Sequence, residues 1–142
     1  MSTTLKTLTD TAYDSVEGYR KAAERAESPA LRQALTERGE KRQQTVDKLN
    51  AELERRGEEL TTEGTLTGEL HQAWLGIADA FENGDEAAAE RVEEGEDYLK
   101  GKFESALEED DLDAQEREVI TECYNEVCEG ERFGDMIAKQ YD

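Results

Sequence analysis

Apolar residues recur at three- and four-residue intervals along most of the chain, a spacing that lays one stripe down a helix. Leu5, Leu8, Ala12, Ser15, Val16, Tyr19, Ala22, Ala23 and Ala26 share such a stripe and predict a first helix over about 4–27. Ser28-Pro29 then supplies an N-cap followed by the residue best suited to a first helical position. A second helix starts there and runs to about Arg56, with Leu31, Leu35, Val46, Leu49 and Leu53 inward. Gly57 is its stop signal. The tight turn between the two makes them antiparallel neighbours.

Residues 58–65 read as a loop. Leu66, Leu70, Ala73, Trp74, Ile77, Ala80 and Phe81 then describe a shorter amphipathic helix, which Asn83-Gly84-Asp85 ends while capping the next one. A third long helix follows over about 86–109, with Ala88, Val92, Gly95, Leu99, Phe103, Ala106 and Leu107 inward. Asp113 and Glu116 have capping-box spacing at the head of a fourth, which carries Val119, Ile120, Cys123, Tyr124, Val127, Gly130, Gly134, Ile137, Ala138 and Tyr141. The second helix is about 40 Å long, and the segment 58–84 is long enough to cross that distance. One all-α domain over 1–142 is therefore expected. Its predicted form is a ferritin-like four-helix bundle with a long crossover carrying a shorter fifth helix.

Apolar residues make up 35% of the chain and charged residues 38%, a balance that disordered chains also show. The sustained helical period and the single proline, Pro29, decide for folded helices. The formal charge of −20, from 37 acidic and 17 basic residues, repels phosphates and anionic lipid. It argues against nucleic-acid or membrane partners. No apolar run suits a signal peptide or a membrane span, so a cytoplasmic location is expected. Cys123 and Cys128 lie about 140° apart around one helix, a poor arrangement for a disulfide or a zinc site. Their expected use is packing.

Projecting each helix at about 100° per residue picks out the polar side chains that face inward. These are Arg38, Arg42 and Thr45 on the second helix, Glu96 at the stripe's edge on the third, and Glu131 with Glu116 on the fourth. Glu126 lies at the fourth helix's margin, and Glu17 lies opposite the stripe on the first. Counting from the helix starts puts Arg42 and Glu96 within about 3 Å of one height, in a layer with Val16 and Val127. Glu131 falls roughly 6–8 Å further along. A di-iron bundle needs inward glutamates on two helices and a Glu-x-x-His on each of the others. This layer has an arginine and two valines instead, and His71 is the only histidine.

The reading is a buried polar pair, Arg42–Glu96, with Arg38 as a third member, and no resident cofactor. The alternative is iron or manganese held by Glu96 and Glu131 with help from Glu126. His71, beside Trp74 on the flank of the crossover helix, reads as a packed, hydrogen-bonded residue. No Gly-rich phosphate loop, nucleophile elbow or aromatic–basic interleaving is present in the pattern.

The segments EGYRKAAE (17–24), LTGELHQAW (66–74), NGDEAA (83–88) and EEGEDYLKGKFESAL (93–107) resemble a family of small bacterial four-helix-bundle proteins. That family is a domain of unknown function placed with the ferritin-like superfamily. Gly18-Tyr19-Arg20, Leu70-His71-x-x-Trp74 and Gly95-Glu96-Asp97 carry the likeness, in that order. The resemblance implies a ferritin-like bundle, a bacterial cytoplasmic setting and a link to stress responses. It brings no catalytic residue. Val16, and the lack of Glu-x-x-His on the second and fourth helices, depart from the metal-binding members of the superfamily. The expected protein is a non-enzymatic bundle, acting by its structure or by protein interaction and self-associating as a homodimer.

Overall fold

The computed structural model describes residues 3–62 and 84–141, and within them the apolar stripes become four long helices. They are α1 (Thr3–Arg25), α2 (Pro29–Arg55), α3 (Asp85–Leu107) and α4 (Ala114–Gln140), with no strand among the described residues. The shorter helix predicted around His71 and Trp74 lies outside the described residues.

Local chemistry satisfies free backbone groups at both ends of α2 and at the head of α4. The cap expected from Asn83-Gly84-Asp85 is not made: Gly84 gives α3 no side-chain cap, and the Asp85 carboxylate turns to the Glu27 and Ser28 amides instead. The Ser28 hydroxyl accepts from the Leu31 amide at 3.3 Å, and Pro29 opens α2. At the other end Glu58 N–H bonds Leu53 C=O at 2.9 Å and Gly57 N–H bonds Glu54 C=O at 3.0 Å. That pair of bonds needs a left-handed residue between helix and loop, and Gly57 supplies it with φ of 71°. On α4 the Asp113 carboxylate accepts from the Glu116 amide at 2.8 Å, and Glu116 accepts in return from the Asp113 amide at 3.3 Å.

Contacts between helix ends set the directions. Asp85, at the head of α3, accepts from the amides of Glu27 and Ser28 at 3.0 and 2.9 Å, so it holds the α1–α2 turn. Ser28 also shares a 3.2 Å hydrogen bond with Tyr141 at the tail of α4. At the opposite end Thr4 donates to Glu109 at 2.8 Å and Arg56 to Asp113 at 2.7 Å. Thus α1 and α2 are antiparallel, α3 and α4 are antiparallel, and α2 and α3 point the same way. Helix α1 packs on α2 and α3, and α4 packs on α3 and α2.

Two apolar clusters fill the interior. Leu5, Leu8, Val46, Leu49, Leu53, Leu99, Phe103 and Ile120 belong to one. Tyr19, Ala22, Leu31, Leu35, Ala89, Val92 and Ile137 belong to the other. At about 1.5–3 kcal/mol for each fully buried leucine, these clusters are the main source of stability. Between them lies a layer of charge.

Candidate functional site

Arg42 sits on α2 between Leu35 of one apolar cluster and Val46 of the other, with no exposed surface. A guanidinium there has five N–H donors to satisfy, and all five find acceptors. Nη1 and Nη2 donate to the two carboxylate oxygens of Glu96 on α3 at 2.8 and 2.7 Å. Glu96 is also completely buried. This is the planar, two-pronged match that arginine makes with a carboxylate. Nε donates to Glu126 Oε1 on α4 at 2.7 Å, and Nη2 reaches Glu126 Oε2 at 3.3 Å. The remaining Nη1 hydrogen goes to Ser15 Oγ on α1 at 2.9 Å. Ser15 passes its own hydrogen to the Ala12 carbonyl at 2.6 Å.

The layer extends from Glu126. Thr45 donates to its Oε1 at 2.8 Å, and Arg38 Nη2 donates to its Oε2. Tyr19 lies under the guanidinium with its ring centre 5.9 Å from Arg42 Cζ. Two cations (Arg38, Arg42) face two anions (Glu96, Glu126), so the layer is close to neutral. Burial works against the charge on Arg42, but Glu96 and Glu126 outweigh it and hold the guanidinium well above its ordinary pKa. Burial likewise pushes Glu126 up, and Arg42, Arg38 and Thr45 more than offset it, leaving that carboxyl below its usual value. Tyr19 is held protonated, first by burial and then by Glu96.

Gly130 makes room for this arrangement. A Cβ at that position would stand 1.7 Å from Glu96 Oε2 and 2.5 Å from Arg42 Nη2. The glycine is required by packing, because the carboxylate fills the space a side chain would take.

The expected Arg42–Glu96 pair is therefore present, and Arg38 joins the same layer through a different carboxylate. It binds Glu126 rather than Glu96, because it lies one turn away and both Glu96 oxygens are already engaged. Glu126, expected at the margin, is a central acceptor with Arg38, Arg42 and Thr45 around it. Ser15 was legible as an inward position, but its acceptor role was not. Glu17, expected on the outer face, is half-buried. Glu116 is buried and completes the capping box of its own helix with Asp113. Cys123 is buried with its thiol pushed up to about 12 by desolvation, and both cysteines are free. His71 lies outside the described residues.

Glu131 belongs to another group. Its carboxylate, with those of Asp97 and Asp135, forms a cluster whose oxygens all lie within 4.8 Å of one another on the α3–α4 seam. Lys100 approaches Glu131 at 3.8 Å. Burial and the neighbouring Asp135 raise the pKa of Glu131, and do the same for Glu93 and Asp97. The seam is tight here, since a Cβ on Gly134 would come within 3.0 Å of the Glu93 backbone.

The donor set in the central layer does not suit a divalent metal. Glu96 has both oxygens engaged by a guanidinium, and that fixed positive charge repels a second cation. What the layer can do chemically is orient helices. Its bonds hold Ser15, Arg42, Glu96 and Glu126, one from each helix, in a single register.

A model of a domain of unknown function, DUF2383, matches residues 1–109, more than half of the chain. The chain belongs to the DUF2383 family. Within the DUF2383 match fall Ser15, Tyr19, Arg42 and Glu96, while Glu126 and Gly130 of α4 lie beyond it. No curated protein and no solved structure matches the chain.

Proposed function

We propose that this DUF2383 protein is a non-enzymatic helical bundle of the ferritin-like superfamily that acts through its shape and its contacts with protein, including a second copy of itself. Its setting is the bacterial cytoplasm, with a part in stress responses. The observation that carries the reading is the completed Arg42 layer. In a metal-handling or catalytic bundle, the mid-height interior offers open ligand positions or a titratable group free to move a proton. Here the matching position is taken by an arginine whose every donor is used. The directions of α1 to α4, with α2 and α3 running the same way, support the superfamily placement. Among the described residues no helix is long and apolar enough to cross a membrane.

Two measurements on purified protein test the proposal. Light scattering should give a mass near twice the 16.0 kDa of one chain. Metal analysis should find iron and manganese far below one per chain. Near-stoichiometric iron or manganese that disappears in Glu96→Ala would overturn the reading in favour of a carboxylate-held metal.

A further inference from the structure

The chain leaving α2 is held by side chains that read its backbone. Asn50 donates through Nδ2 to the Thr61 carbonyl at 2.9 Å and accepts from the Thr61 amide at 2.8 Å. This is the two-way pairing that a neighbouring strand would provide. The Thr61 hydroxyl donates to Asp10 at 2.5 Å and accepts from Lys6 at 2.8 Å. Lys6 also bonds Asp10 at 3.2 Å and the Leu60 carbonyl at 3.4 Å. Tyr13 donates to the Thr62 carbonyl at 3.0 Å. Lys6, Asp10 and Tyr13 follow one another along α1, so residues 60–62 run back from the α2 terminus along the α1–α2 pair.

This attachment differs in kind from the helix packing. Thr61 is buried, but Leu60 is an exposed apolar residue and Thr62 is also exposed. Polar bonds from Lys6, Asp10, Tyr13 and Asn50 hold the strap in place. Segments of that kind open with free energies well below that of global unfolding. Gly57, already in the left-handed region, is the joint at which the strap meets the helix.

We propose that Lys6, Asp10, Tyr13 and Asn50 form a latch that closes on Thr61 and opens as a unit, releasing residues 58–62 while the four helices stay folded. The latch sets the course of residues 60–62 along the α1–α2 pair. It is a place where this molecule can change shape without disturbing the Arg42 layer. The inference is independent of the function proposed above.

Amide hydrogen exchange read residue by residue tests it, with Asn50→Ala and Thr61→Val as the variants. The second keeps the branched side chain and removes only the hydroxyl held by Lys6 and Asp10. In the parent the Thr61 amide should exchange faster than those of Val46 and Val127 in the core. In both variants it should quicken by roughly tenfold or more, with the core amides changing less than about twofold. A glutamate-specific protease should then cut more readily at Glu59. A Thr61 amide unaltered in both variants, or one that moves only in step with the core amides, would overturn the latch.

Discussion

Removing one member of a buried ion pair leaves the other ionised where water cannot reach it. Arg42→Ala strands Glu96 completely and Glu126 in part, so it should destabilise the fold by about 3 kcal/mol or more in urea melts followed by circular dichroism. The exposed pair Lys48–Glu122, 3.1 Å long, is the natural contrast. Glu122→Ala should cost no more than about 1 kcal/mol in the same assay. Equal small losses would mean that the guanidinium is solvated. Gly130→Ala forces a methyl group onto the Glu96 carboxylate and should cost about 2 kcal/mol or more. The same change should cost clearly less in a Glu96→Ala background, and a double-mutant cycle measures the difference. Arg42 and Glu96 were legible because each points inward at matching height. Glu126 and Ser15 gained their roles from the length and direction of the arginine, which periodicity does not encode. An interior glycine on a helix was the available sign that something large approaches it there.

Caps and turns act over one helix end, and these were read from short motifs. Ser28-Pro29, Gly57 and the Asp113/Glu116 box each do locally what their sequence spacing requires. The α3–α4 seam needed two helices to be brought together before its character emerged. Folding raises the pKa values of Glu93, Asp97 and Glu131, so their protonated forms are favoured in the native state. The stability tied to them is present at acid pH and is lost as pH rises through the carboxylate range. Asp135→Asn removes the neighbour common to all three. It should stabilise the protein by roughly 0.5 kcal/mol at pH 7, with the gain fading below about pH 4. A gain that is the same at both pH values would refute the electrostatic origin. Glu52 works in the opposite sense, since Arg55 and Arg56 lower its pKa from 4.5 to about 2. Its contribution is present above pH 4.5 and is lost as pH falls toward about 2.

Over the whole molecule, a formal charge of −20 on 142 residues makes the compact state repel itself. Screening shortens that repulsion, to about 3 Å in 1 M salt. The midpoint of thermal unfolding should therefore climb as NaCl is added from a low-salt buffer. The central layer is buried and nearly neutral, so it should respond little, and the loss caused by Arg42→Ala should be similar at both ends of the salt range. A midpoint that stays level or falls with salt would show that the surface charge is already balanced by its ion pairs.

The approximate limits of the four long helices, the caps at Ser28-Pro29, Gly57 and Asp113/Glu116, and most inward faces followed from the order of residues, because each depends on neighbours within one or two turns. So did the pairing of Arg42 with Glu96, since helix length and direction convert sequence position into height. The recruitment of Glu126, the grouping of Glu131 with Asp97 and Asp135, the closeness forced at Gly130 and Gly134, and the clasp on Thr61 came only with the assembled bundle. Each depends on distances between side chains remote in sequence, and small rotations of neighbouring helices decide those distances.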